Sequence, residues 1–107
     1  MSLDIDLYAL RRTIVADFNV THNLGKMAKE AGIYECLWRA PENGFEFAHQ
    51  LIEPLTSGLQ IMRANPEDFQ NFNPENGWGT YEGFMQFVAN LLAACKENPD
   101  AEVRTSR

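Results

Sequence analysis

Apolar and polar residues alternate at the start of the chain. Every second position from Leu3 to Ala9 is apolar, with aspartates among the residues between them, and this period of two predicts a half-buried strand over residues 3–9. Residues 13–20 are rich in β-branched and aromatic types and predict a second strand. The intervening Arg11-Arg12 contains no Gly or Asn, so the sequence does not indicate a tight two-residue hairpin.

Helical spacing begins after the second strand. Apolar residues recur every three or four positions over residues 24–31 and predict a helix, with Thr21 or Asn23 as its N-cap. Gly32 is placed to end this helix in a left-handed conformation. A short second helical stretch follows over residues 33–39.

Two longer apolar stripes predict the main helices. One runs from Ala48 to Met62, and Pro54 within it should kink or divide the helix because proline lacks the backbone N–H. The other covers residues 80–97. The tail, residues 101–107, alternates again and fits a short strand that returns beside the N-terminal strand.

A short helix and a loop are predicted between the two long helices. Asn65 is a suitable N-cap, and Pro66 suits the first helical position. Phe69 and Phe72 supply the apolar side of this helix. Residues 73–79, with Pro74 and two glycines, predict a turn-rich loop.

These elements predict one α+β domain over residues 1–107. It should be helix-rich, with a small antiparallel sheet formed by the N-terminal region and, if the tail pairs, the C-terminal strand. About four helices should pack on one face of that sheet. With 107 residues, 45% of them hydrophobic, the chain is long enough to bury a core of its own.

Charge excludes some classes of partner. The formal net charge is −6, which argues against nucleic acid and against anionic membrane surfaces as partners, because both are recognised mainly by clustered Lys and Arg. The acidic N-terminus does not resemble a signal peptide, so we expect a soluble cytosolic protein with Cys36 and Cys95 as reduced packing residues. His22, His49 and the scattered acids show no ligand spacing, so no metal or other cofactor is predicted.

Polar and aromatic residues concentrate at two junctions between elements. A helix start offers free backbone N–H groups to a carboxylate or phosphate, and tryptophan and tyrosine are suited to line a pocket. At each position the alternative is structural: a helix cap, a plug in the core or an exposed side chain. The candidate ligand-binding residues are Asn19, Thr21, His22, Asn23, Trp38, Asn76, Trp78 and Tyr81.

Three segments resemble one family. They read NVTHNLGKMAKEAGIYECLW, NPENGWGTYEGF and AACKENPDAEV, and the chain then closes with SR. They carry a resemblance, which covers most of the chain, to a family of small bacterial and phage-associated proteins. The resemblance implies no activity and supplies no catalytic residues.

The sequence leaves three functions open. The first is a small binding or accessory module for an unknown small molecule or protein, in which residues 19–23 and residues 76–81 meet to form one site. The second is an interaction subunit that forms homodimers or hetero-oligomers. The third is a small enzyme in which His22 acts as acid or base, Asp17 or Glu35 orients it and Trp78 shapes the pocket.

Overall fold

Strands and helices follow one another in nearly the predicted order. Within residues 2–9, 14–77 and 79–107, the computed structural model contains three strands and five α-helices. The Arg11-Arg12 connection, the predicted start of the second strand at residue 13 and the candidate Trp78 lie outside this described part. The elements are β1 (Ser2–Tyr8), β2 (Ile14–Thr21), a 3-10 turn (His22–Leu24), α1 (Gly25–Glu30), α2 (Tyr34–Trp38), a second 3-10 turn (Pro41–Asn43), α3 (Ala48–Ala64), α4 (Pro66–Gln70), α5 (Tyr81–Glu97) and β3 (Glu102–Ser106).

The sheet is antiparallel throughout, with strand order β2-β1-β3. Ile5 pairs with Phe18 on β2 and with Thr105 on β3, so the C-terminal tail does return beside the N-terminal strand. The alternation predicted for β1 is confirmed, because Leu3, Ile5 and Leu7 are fully buried while the side chains between them face away from the core. The predicted α+β class is therefore confirmed.

The long helices α3 and α5 form the second layer of the core and pack against each other. Helix α3 is continuous from Ala48 to Ala64 with Pro54 inside it, so of the two predicted effects of Pro54 the division of the helix is wrong, and the kink stays a prediction. The physical reason is burial: the apolar stripe on both sides of Pro54 is enclosed, and this packing offsets the one missing N–H. Leu51 and Leu55, before and after the proline, are both 0% exposed.

Gly32 lies just after the end of α1, and Asn65 lies between α3 and α4. Gly32 has φ +78°, and Ile33 N–H donates to the Ala28 carbonyl at 2.9 Å, which is the left-handed helix stop that the sequence predicts. Asn65 precedes α4, but its side-chain amide donates to the Ile61 carbonyl at 2.9 Å. Asn65 stands at the N-cap position of α4, as predicted, but its side chain makes no capping bond there and instead closes α3.

The two edges of the sheet differ. The outer edge of β3 is covered, because Val103 N–H donates to the Glu46 carbonyl at 2.8 Å and Phe47 bridges to Glu102. In the described residues, the outer edge of β2 has no comparable backbone partner. Ile14 and Val15 on β2 are also exposed.

Candidate membrane-spanning segments are absent from the part of the chain that the structure describes. No helix there combines the length and the apolar character needed to cross a bilayer.

Candidate functional site

The two predicted junctions lie together. Asn76 Nδ2 donates to Asn23 Oδ1 at 3.4 Å. Gly79 has φ +105°, and a Cβ built on it would lie 2.9 Å from Leu24 Cγ and 3.0 Å from Thr21 Cγ2. A side chain would not fit in this contact, so glycine allows the loop to lie against the strand-to-helix junction. The predicted meeting of residues 19–23 with residues 76–81 is confirmed.

Three other candidate side chains make structural hydrogen bonds within their own parts of the fold. Thr21 Oγ1 accepts from Asn23 N–H at 3.3 Å and so caps the 3-10 turn. Tyr81 is 7% exposed, and its hydroxyl donates to the Met62 carbonyl at 2.6 Å. Asn19 lies on the outer face of the sheet, where it donates to Asp4 Oδ1. The hydrogen bonds of these side chains therefore stabilise the fold.

His22 and Trp38 are directly bonded. Trp38 Nε1–H donates to His22 Nδ1 at 2.7 Å. Trp38 is 3% exposed, so the indole is part of the core. An indole nitrogen can only donate, so His22 Nδ1 must accept and the proton of the neutral ring lies on Nε2. The 3-10 turn after β2 supplies His22 and α2 supplies Trp38.

A surface pocket of about 470 Å³ opens beside this pair. We call it the basic pocket, because four of the nine Lys and Arg residues of the chain line it. None of the described lining residues is acidic. The lining residues are His22, Gly25, Lys26, Lys29, Tyr34, Trp38, Arg39 and Arg107.

Most of the positive charge in the basic pocket is unpaired. The two ion pairs among the described residues join Arg104 to Glu102 and Arg107 to Glu42. Lys26, Lys29 and Arg39 therefore have no carboxylate partner in the part of the chain that is described. On a chain with 15 acidic residues, these three cations give one pocket a local excess of positive side chains, opposite in sign to the net charge of the whole molecule.

Aromatic rings lie beside both lysines and leave their positive charges uncompensated. Lys29 Nζ lies 4.6 Å from the ring centroid of Tyr34, and Lys26 Nζ lies 5.4 Å from that of Phe72. Cation–π contacts of this kind are worth about 0.5–1 kcal/mol at exposed sites. Tyr34 in turn stacks on Trp38, with centroids 5.4 Å apart and an interplanar angle of 8°.

The arrangement predicted for acid–base catalysis is not assembled. His22 bonds to Trp38, and neither ion pair of the described residues involves His22. Asp17 lines a separate depression on the outer face of the sheet with Asp4 and Asp6. Among the described residues no hydrogen bond or ion pair joins His22 to Asp17 or Glu35, so the expected orientation of His22 by either carboxylate is not present.

The cysteines are packing residues, as predicted. Both are buried and free. Burial raises the pKa of the Cys36 thiol to about 12 and that of Cys95 to about 11, which removes the thiolate needed for nucleophilic or metal chemistry near neutral pH. Among the described residues, no three His, Cys, Asp or Glu side chains are grouped to hold a metal ion.

Sequence reasoning found His22 and Trp38 but missed the charge around them. Lys26 and Lys29 are three residues apart, which places them on one face of α1, and this spacing was the available signal. Arg107 follows β3 in the chain, and the return of β3 brings it near α1.

Comparison of the chain with protein-family models, curated proteins and solved structures finds no match.

Proposed function

We propose that this chain is a binding module that takes a small anion in the basic pocket. The observation that carries the proposal is a group of three cations, Lys26, Lys29 and Arg39, which have no ion-pair partner among the described residues and surround a pocket without acidic residues in its described lining. Holding like charges close together costs free energy. Surface cations on an acidic chain ordinarily lie among carboxylates, so an uncompensated group of them favours a ligand that supplies the negative charge.

The surrounding charge favours a small ligand over a long one. The formal net charge is −6 with the pocket cations included, so the remaining surface is more acidic still. A nucleic acid or an anionic membrane would extend beyond the pocket onto that surface and be repelled. A compact anion would contact the basic pocket alone and would avoid the acidic surface around it.

Cytosolic location and a bacterial or phage origin stay predictions from the sequence.

Titration calorimetry tests this proposal at low ionic strength, where exposed charges are least screened. The probes are sodium salts of phosphate, diphosphate, sulfate and citrate. Lys29→Gln and Arg39→Gln each remove one pocket charge, and we expect about tenfold weaker binding from each, as for loss of one charge-assisted hydrogen bond.

Matched controls separate a site from general attraction. Lys96→Gln and Arg63→Gln remove one charge each from exposed positions that do not line the basic pocket, and these variants should keep the wild-type affinity within about twofold. Equal weakening in all four variants, or no binding of any probe by the wild-type chain, would contradict the proposal.

The alternative function, an interaction subunit, stays a prediction. The structural feature that favours it is the open edge of β2 with exposed Ile14 and Val15, since unpaired strand edges can pair with another chain. Light scattering at two protein concentrations tests it. A monomer at both concentrations argues against a homodimer.

A further inference from the structure

The geometry points to a ligand of a particular class: a compact oxyanion that carries two or more negative charges, such as a diphosphate group, bound without stacking of any ring. This inference rests on the proposed function, because it uses the same pocket. Three features carry it: the number of uncompensated charges, the occupied aromatic rings and the single neutral donor of His22.

Charge matching sets the valence of the ligand. Lys26, Lys29 and Arg39 are unpaired among the described residues, whereas Arg107 Nη2 lies 3.4 Å from Glu42 Oε1 and is already compensated. A monovalent anion would leave two of the three positive charges unbalanced in the pocket. An oxyanion with two or three charges balances them and has enough oxygen atoms for the guanidinium fork of Arg39 as well as for the two ammonium groups.

The aromatic residues of the pocket are engaged with each other and with lysine. Trp38 is 3% exposed and offers no free face. Tyr34 stacks on Trp38 and also holds the Lys29 ammonium 4.6 Å from its ring centroid. A base or other ring on the ligand would have to displace Lys29 to stack on Tyr34. The ligand would then lose the contact between its anionic group and Lys29. A ring on the ligand should therefore not raise its affinity for the pocket.

His22 supplies one neutral hydrogen-bond donor. Its Nδ1 accepts from Trp38 at 2.7 Å, which leaves the proton on Nε2. No described residue accepts a hydrogen bond from His22 Nε2, and His22 lines the basic pocket. The Nε2–H group of His22 can donate a hydrogen bond to the ligand. The oxygen atoms of a fully ionised oxyanion can only accept, so they match this donor. Trp38 is thus a positioning residue that acts through the His22 tautomer.

Calorimetry with three probes tests the ligand class: acetate, inorganic diphosphate and adenosine diphosphate. Both probes contain a diphosphate group, and adenosine diphosphate carries in addition a ribose and an adenine ring. We expect acetate to bind at least about tenfold more weakly than diphosphate, because it pairs with one cation at most. Adenosine diphosphate should bind within about threefold of inorganic diphosphate, since the pocket has no free aromatic face on which the base could stack.

The outcomes separate this inference from the proposed function. Acetate binding as tightly as diphosphate, or adenosine diphosphate binding more than about tenfold tighter with the gain lost in Tyr34→Leu, would overturn the ligand class and leave the anion site intact. Failure of every probe to bind would overturn the proposed function itself.

The role of Trp38 has its own signature. Long-range nitrogen–proton NMR spectra of His22 should show the proton on Nε2 in the wild-type chain. The variant Trp38→Phe should lose this single-tautomer signature and bind diphosphate more weakly. His22→Gln keeps a neutral side-chain donor and should retain more affinity than His22→Ala. Equal diphosphate affinity in those two variants, or a proton on Nδ1 in the wild-type chain, would overturn the role assigned to His22.

Discussion

Gly58 is the residue whose replacement tests the packing behind the basic pocket most sharply. It lies within α3, where the helix passes the turn between α1 and α2. A Cβ built on Gly58 would lie 2.5 Å from Ile33 Cγ2 and 3.2 Å from the Ala31 carbonyl oxygen. The missing side chain therefore lets α3 pack directly against the turn that leads into Tyr34 and Trp38.

Two opposing effects decide the outcome of Gly58→Ala. Alanine in a helix interior gains about 1 kcal/mol over glycine from propensity. Carbon atoms in contact normally lie about 3.5–4.0 Å apart, so the new methyl group overlaps Ile33 by about 1 Å, and overpacking of this kind costs about 1–3 kcal/mol. Ile33 is fully buried and cannot move into solvent. The cost of overpacking should exceed the gain in helix propensity, so Gly58→Ala should lower the free energy of unfolding by about 1 kcal/mol.

Urea and thermal unfolding measure this loss. For a domain of about 100 residues, 1 kcal/mol lowers Tm by about 4–8 °C. The control is Gly83→Ala in α5, where the new Cβ would meet only the exposed Thr80 Oγ1 at 3.1 Å. This variant should be neutral or stabilised by up to about 1 kcal/mol.

A double-mutant cycle assigns the cause. Ile33→Leu moves the branch away from Cβ and thus removes the atom that the new methyl group at position 58 would strike. In that background Gly58→Ala should cost at least about 1 kcal/mol less than in the wild-type chain. A rise in Tm for Gly58→Ala alone, or a cycle with no coupling, would refute the close contact between α3 and the α1–α2 turn.

Three further predictions concern stability. Tyr81→Phe removes the buried hydrogen bond to the Met62 carbonyl and should cost about 1 kcal/mol in urea unfolding; an unchanged midpoint would contradict it. Thr80→Ala removes the side-chain cap of α5 and should also cost about 1 kcal/mol, whereas Thr80→Ser should retain most of the stability. The folded-state pKa of Cys36, about 12, and that of Cys95, about 11, lie above the ordinary value of 9.0. Above pH 9 the native state therefore holds more protons than the unfolded state, and stability should fall as pH rises from 9 toward 12, by about 1 kcal/mol between pH 9 and 10 for the Cys36 thiol. Unfolding midpoints at pH 8, 9 and 10 check this against Cys36→Ala, which should lose less over the same interval.

The sheet could be predicted from sequence because its signal is local. Alternation of apolar and polar residues in β1 and in the tail encodes which face is buried, and that face follows directly from the side-chain period of two. The predicted division of α3 at Pro54 is wrong, because the intrinsic cost of proline is local whereas the burial that offsets it depends on the whole α3–α5 contact.

The candidate site was predictable only in part for the same reason. His22 and Trp38 stand out as residue types, and Gly79 beside the polar loop indicates an unusual contact. The cations are ordinary surface residues in the sequence. They become a group because the α1–α2 turn folds two helices beside each other and because β3 carries Arg107 back to them. Long-range topology of this kind is not encoded in the spacing of the charges.

The most direct test of the anion site is an NMR titration of the isotope-labelled chain with inorganic diphosphate at constant ionic strength. We predict saturable shifts of the backbone signals of His22, Gly25 and Arg39, with the signals of Ile14 and Val15 on the β2 edge unchanged. Shifts that spread evenly over the exposed cations and grow without saturation would contradict a built anion site in the basic pocket.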